Sequence, residues 1–167
     1  MFSQCCGRYL SGESLPPTAE ALMRSRYTAF STRNVDYIMA TQKFSDQFSD
    51  QQSDRAGLKA SPKASLKQSV NSTQWTNLMV VSTRKGKAKD RTGIVEFVAA
   101  YRVKPLLTIG AAGQIEQQIE QMHERSHFIQ AKGQWLYIQG DRLPPYQPKR
   151  TDACWCGSGK KFKQCHG

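Results

Sequence analysis

The residues whose chemistry is most explicit close the chain: Cys154-Trp-Cys-Gly-Ser-Gly-Lys-Lys-Phe-Lys-Gln-Cys-His-Gly167. Cys154 and Cys156 bracket one residue, eight residues follow, and Cys165 and His166 arrive as a pair. Three thiolates and an imidazole at this spacing make a closed tetrahedral ligand set for zinc. No position is left for water, so the ion is expected to organise the chain rather than to catalyse. Gly157-Ser158-Gly159 supplies the fold-back, because glycine accepts positive φ and leaves N–H groups free to point at metal-bound sulfurs. Phe162 offers an apolar lid, and Lys160, Lys161 and Lys163 make the same loop basic and a candidate partner-binding surface.

Two other groupings of metal-ligand residues carry less. His123-Glu-Arg-Ser-His127 fits H-E-x-x-H, the zinc-protease pattern, but two histidines so spaced share a metal only on a helix. On a strand they stand about 13 Å apart. There, Glu124, Ser126 and Phe128 would share one face, and His123, Arg125 and His127 the other. Near the start, Phe2-Ser-Gln-Cys-Cys-Gly7 repeats Phe162-Lys-Gln-Cys-His-Gly167 but lacks a preceding Cys-x-Cys. Two adjacent cysteines cannot complete a tetrahedron and form a disulfide only with strain. Cys5 and Cys6 are therefore expected to be reduced and metal-free, or to complete a site only with another chain, in a segment mobile up to Pro16.

The C-terminal stretch closely resembles the SEC-C motif of the SecA translocation ATPase, with all four ligand positions matched. In SecA the motif docks on the acidic chaperone SecB, so the resemblance implies an acidic protein partner. A second resemblance spans nearly the whole chain. Gln4-Cys-Cys-Gly7, Tyr9-Leu-Ser-Gly12, Pro17-Thr-Ala-Glu-Ala-Leu-Met-Arg-Ser-Arg-Tyr27 and His123-Glu-Arg-Ser126 are similar to the bacterial YchJ family. It implies a nuclear transport factor two-like (cystatin-like) α+β fold, a cone of curved antiparallel sheet packed on helices, with SEC-C motifs flanking it. It also implies that His123–His127 lies in a strand; with no third ligand evident, the protease reading is set aside.

Composition fits one small domain with an appendage: 167 residues and 38 % hydrophobic content allow a modest core. The 24 Lys and Arg against 13 Asp and Glu leave a net charge of +11, which favours acidic proteins, nucleic acid or anionic ligands as partners. No stretch approaches the ~18 apolar residues of a membrane span and no secretory leader is visible. Cysteines used as metal ligands point to a reducing cytoplasm.

These chemical groups need elements to position them. Pro16-Pro-Thr18 caps a helix in which Ala19, Leu22, Met23, Arg26, Tyr27 and Phe30 recur at three- and four-residue spacing. Asn34 or Asp36 caps a second, with Tyr37, Ile38 and Met39 inward. Residues 43–73 read as a polar surface excursion. It repeats Phe-Ser-Asp-Gln at 44–47 and 48–51 and holds one weak helix, capped by Asp54, containing Leu58, Leu66 and Val70 and interrupted by Pro62. From Trp75 the period becomes two, predicting strands over 75–83, 92–103, 114–129 and 134–139, paired antiparallel in consecutive order. Arg84–Arg91, with five basic residues, is the hairpin tip between the first two. Leu143–Arg150 reads as a stiff linker holding the knuckle away from the domain. The boundaries expected are 1–14 for the half motif, 15–143 for the α+β domain and 144–167 for linker and knuckle.

Arg26 stands on the helix stripe that should face the core, so it needs a partner. Glu124 is the first choice and Glu96 the alternative. A cavity bordered by that pair with Tyr27, Trp75 and Tyr101 is the candidate ligand site. The leading functional expectation is a zinc-stabilised module that binds acidic proteins, such as a SecB-like chaperone or a ribosomal surface, rather than an enzyme. Small-molecule binding or catalysis in the cone's cavity comes second. Nucleic-acid binding comes third, for want of a base-stacking motif.

Overall fold

The computed structural model describes residues 3–43, 62–103 and 119–167. After a π-helical turn, Ser3–Gly7, come helices α1 (Arg8–Leu10), α2 (Ala19–Thr32), α3 (Val35–Ala40) and α4 (Pro62–Ser72). Strands β1 (Thr73–Lys85), β2 (Thr92–Val103), β3 (Glu120–Ala131) and β4 (Gln134–Arg142) follow. The strands form one antiparallel sheet in the order β1-β2-β3-β4, as consecutive hairpins dictate. The Phe-Ser-Asp-Gln repeat, Asp54, Leu58 and residues 114–118 lie outside the described residues. Pro62 is the first described residue of α4, and the segment before it lies outside the described residues. Among the described residues, no helix is long and apolar enough to cross a membrane.

Helix α2 begins where Thr18 Oγ1 accepts the Ala21 N–H at 3.0 Å, and ends at Arg33 in the left-handed conformation. Its buried stripe of Ala19, Leu22 and Met23 packs on Val95, Phe97, Ala99, Phe128 and Trp135 of the sheet's inner face. Asn34, not Asp36, caps α3, accepting the Tyr37 N–H at 3.0 Å, and Ile38 is fully buried. The stretch before Pro16, expected to be mobile, instead packs beside α2, with Cys6 and Tyr9 buried. Two apolar side chains there are enough to seat it on the helix.

The curvature of the sheet comes from bulges that period-two reading cannot locate. Register breaks lie between Trp75 and Asn77 and between Val80 and Ser82 on β1. A regular strand would hold each of those pairs on one face. The extra residue lets Trp75 turn inward beside Tyr101 while Asn77 turns outward, and separates inward Val80 from outward Ser82. A third break opposite His127 and Phe128 leaves Tyr137 facing the core.

Candidate metal centre and inner cavity

The C-terminal segment folds as a tight loop. A bridge joins Ala153 to Lys161, the Cys154 N–H donates to the Lys160 carbonyl at 2.9 Å, and Phe162 N–H to the Asp152 carbonyl at 2.8 Å. A 3-10 turn over Phe162–Gln164 then brings the amides of Cys165, His166 and Gly167 onto the Phe162 carbonyl at 2.9, 3.0 and 2.9 Å. The result is that Cys154, Cys156, Cys165 and His166 each offer a ligand atom, all within 4.8 Å of one another. Cys154 Sγ lies 3.3 Å from His166 Nδ1, and Cys156 Sγ lies 3.5 Å from Cys165 Sγ. Zn–S bonds of about 2.3 Å in a tetrahedron place sulfurs about 3.8 Å apart, so the edges of this cluster suit a single ion.

The donor set also suits a cation. Burial and the neighbouring thiols push the Cys154 thiol up to about 11. Burial likewise acts to raise Cys156, but hydrogen bonds from the Ser158 hydroxyl and amide outweigh it and hold that thiol below its ordinary value. Three sulfurs so close accept ionisation together only around a positive ion. These residues therefore form a potential metal-binding site.

The knuckle does not stand away from the domain, contrary to the reading of Leu143–Arg150 as a spacer. Trp155, 4 % exposed, is seated with Cys154 and Cys156 against Val98 and Ala100 on the outer face of the sheet, flanked by Met79, Val81 and Tyr146. Asn77 Nδ2 donates to the Trp155 carbonyl at 2.9 Å. Gly157 has φ +80° and passes so close to Asn77 that a Cβ would lie 2.8 Å from its side chain, so turn and contact both require glycine there. The connecting segment is tied down as well. Gln121 brackets the Tyr146 backbone with two hydrogen bonds of 3.2 and 2.9 Å, and His123 Nδ1 meets the Pro144 carbonyl at 2.7 Å. A proline-rich stretch is stiff, but stiffness does not say which way it runs. Lys160, Lys161 and Lys163 remain exposed.

The H-E-x-x-H residues lie on β3, and the strand separates them. His123 and Arg125 converge on Glu96 at 3.1 and 3.3 Å on the outer face, and His127 meets Asp141 at 2.8 Å. Glu124 and Ser126 point inward, where Ser126 Oγ donates to the Glu124 carboxylate at 2.6 Å. Gly140, opposite Ser126, leaves the room Glu124 occupies; a Cβ there would collide with the carboxylate.

The inner face, α2 and α4 enclose a cavity of ≈ 470 Å³ lined by Arg26, Tyr27, Trp75, Tyr101 and Glu124 among others. Glu96 is not among them: it lies one residue out of phase with inward Val95 and Phe97, on the far side of the sheet. Arg26 is buried, yet it is not ion-paired with Glu124. Its Nη1 donates to the Ile38 carbonyl and to Thr41 Oγ1, both at 2.8 Å, and its guanidinium lies over the Tyr137 ring at 4.6 Å. Carbonyl oxygen at the C-terminal end of α3 takes the place expected of a carboxylate, because that helix end has unpaired acceptors of negative polarity. Burial pulls the Arg26 pKa down to about 10, partly offset by Tyr137, Tyr37 and Glu124, so it stays charged at neutral pH. The site residue that sequence reasoning missed is Arg142, whose Nε stands 3.9 Å from the Glu124 carboxylate. Cross-strand register with Glu124 would have found it.

Known proteins resemble this chain at both levels. Residues 18–140 match the family described as YchJ, middle NTF2-like domain, and residues 150–167 match the SEC-C motif. A UPF0225 protein of Enterobacter sp. (strain 638) is 39 % identical over 168 residues, covering 99 % of this chain and 91 % of that one. The UPF0225 protein of Serratia proteamaculans (strain 568) is 36 % identical over 166 residues, with 99 % and 92 % covered. Among solved structures, the SEC-C motif protein RPA3114 of Rhodopseudomonas palustris superposes with TM-score 0.62 at 26 % identity, over 86 % of this chain and 93 % of that one. A SEC-C motif protein of Psychrobacter arcticus gives TM-score 0.59 at 26 % identity, over 99 % and 84 %. The curved four-stranded sheet with its helices is thus an NTF2-like domain, the Cys3His loop beneath its outer face is a SEC-C motif, and the chain belongs to the YchJ (UPF0225) family.

Proposed function

We propose that Cys154, Cys156, Cys165 and His166 hold one zinc ion as a structural site, and that the knuckle presents Lys160, Lys161 and Lys163 to an acidic protein surface, of which a SecB-like chaperone is the leading example. The observation that carries this reading is that the loop's residues differ sharply in burial. Trp155, Cys154 and Cys156 are buried on the sheet, while the three lysines are exposed with no hydrogen bond from their side chains among the described residues. Thiolate and imidazole ligands in a four-coordinate set suit zinc, and with all four positions taken by protein the ion cross-links rather than activates water. Lysines held on a rigid loop lose less freedom on binding than lysines on a mobile tail, which favours this loop over the other basic stretches.

The test is titration calorimetry of the zinc-loaded chain against SecB, with a structured RNA as the parallel arm. Binding to the acidic chaperone that weakens with salt and is lost in Lys160→Glu/Lys161→Glu/Lys163→Glu, at unchanged zinc content, is the expected outcome. Binding of RNA in preference to SecB, or a triple variant that binds SecB as well as the parent, would overturn the partner assignment and leave the metal assignment to metal analysis.

A further inference from the structure

The inner cavity belongs neither to the metal centre nor to the basic loop, and its hydrogen-bonding groups do not balance. Arg26 is 4 % exposed and donates two hydrogen bonds, both through Nη1. Its Nε and Nη2 groups make none among the described residues. Those two nitrogens form one edge of the guanidinium, the edge that engages a carboxylate through two parallel bonds. Trp75 Nε1, beside it in the cavity wall, is a fully buried donor without an acceptor among the described residues. The cavity's own carboxylate cannot answer them, since Glu124 accepts from Ser126 and faces Arg142 at the rim. The two Arg26 nitrogens are not sealed in protein as Trp75 Nε1 is but keep contact with solvent, and Arg26 lines the cavity, so an acceptor on that edge has to come from whatever occupies the cavity.

The walls specify what that acceptor is attached to. Trp75 meets Tyr27 and Phe30 edge-on, with ring centroids 6.2 Å away in each case, and Tyr101 at 5.4 Å. Apolar Met23, Leu66 and Met122 complete the enclosure. A volume of ≈ 470 Å³ falls in the range of about 300–1,000 Å³ usual for small-molecule sites. Charge limits the head group: Arg26 and Arg142 against Glu124 leave a single net positive charge. A second negative charge on the ligand would be brought toward the Glu124 carboxylate.

We propose that this cavity binds a small monocarboxylate with a flat apolar body, its carboxylate on the Nε/Nη2 edge of Arg26 and its body among Tyr27, Phe30, Trp75 and Tyr101. The reading is independent of the metal centre and of any acidic partner.

Three probes of one shape test it on the metal-loaded full chain by calorimetry: naphthoate, the neutral naphthamide and the doubly charged naphthyl phosphate. Naphthoate should bind, and the amide and the phosphate should bind about tenfold more weakly or worse, as loss of one charge-assisted pair requires. Arg26→Lys keeps a cation but removes the planar edge, so naphthoate affinity should fall by about tenfold or more at unchanged metal content. Because Arg26 also anchors α3, Glu124→Gln provides a second variant that leaves those anchors intact. It should raise phosphate affinity relative to carboxylate and close much of the gap between them. Naphthamide binding as tightly as naphthoate, absence of naphthoate binding up to millimolar concentration, or an unchanged phosphate-to-carboxylate ratio in Glu124→Gln would each overturn the proposal.

Discussion

The two faces of the sheet are closed by different means. The inner face is covered by α2, a 14-residue helix with its own cap and an apolar stripe that reaches Val95, Phe97, Phe128 and Trp135. The outer face is covered by a segment without long regular structure, which places Trp155, Tyr146 and Phe162 on Val98 and Ala100. A helix meets its backbone hydrogen-bonding needs internally and has only to bury one side. A short irregular loop has few apolar contacts to set against the entropy of being ordered, and the proposed metal cross-link at its base would supply the difference. On the proposed metal site, the inner cover stands by itself and the outer cover is conditional on the ion.

Removing a ligand breaks this comparison most severely. Cys156→Ala should abolish stoichiometric metal binding and lower the melting temperature by roughly 10 °C, as loss of several kcal/mol does in a chain of this size. Hydrogen exchange should rise first in the amides of the C-terminal loop, while those of α2 and the inner core stay protected. Metal analysis, a thermal melt and exchange mass spectrometry check it. An unchanged melt in metal-free protein would show that the loop docks without its ion.

A pair of tryptophans sharpens the contrast. Trp135 is fully buried under α2, with Nε1 donating to the Pro17 carbonyl at 3.3 Å, and Trp155 is the seat of the knuckle. Trp135→Ala should cost about 3–5 kcal/mol whether or not metal is present. Trp155→Ala should cost about 2–3 kcal/mol in metal-loaded protein and little after chelation, because the loop is then already undocked. Denaturant titrations of both variants, with and without chelator, form the cycle. An equal cost for Trp155→Ala in the two states would show that the outer cover does not depend on the ion.

The same contrast explains what could be read from the residues alone. Helix α2, the four consecutive strands and the Cys3His set were legible because periodicity and ligand spacing are local properties. The placement of His123, Arg125 and His127 on one face and Glu124, Ser126 and Phe128 on the other also followed from strand alternation. Three features were not legible. The docking of the knuckle depends on Asn77 and Trp155, which are far apart in sequence and brought together by a bulge at Thr76. Arg26 finds backbone acceptors in α3, and a carbonyl leaves no mark in a sequence. Glu96 was assigned to the cavity because nothing in the alternation of β2 alone says which phase faces α2. Cys5 and Cys6 show the limit of repeats: they copy the Cys165-His166 position, yet their sulfurs lie 3.6 Å apart with no third metal-ligating side chain grouped with them among the described residues.

The smallest expected effect lies at the edge of the outer face, where Glu96 ties β2 to the start of the connecting segment. Its carboxylate receives His123 Nε2 at 3.1 Å, Arg125 Nη2 at 3.3 Å and Ser82 Oγ at 3.3 Å, while the other ring nitrogen of His123 meets the Pro144 carbonyl. Partial burial acts to raise its pKa, but the hydrogen bonds from His123 and Arg125 outweigh that and hold it below the ordinary carboxylate value. A folded-state pKa below the unfolded one means that the carboxylate contributes stability above the unfolded value, about 4.3, and loses it as pH falls through the lower folded value. Glu96→Gln should therefore destabilise the protein by about 1 kcal/mol near neutral pH, and the gap between parent and variant should close as the solution is acidified below that range. Loss of metal in acid is common to both proteins and cancels in the difference. Melts of parent and variant at a series of pH values decide the matter: a gap that stays constant into acid would assign Glu96 a packing role, with no electrostatic hold on the segment that leads to the knuckle.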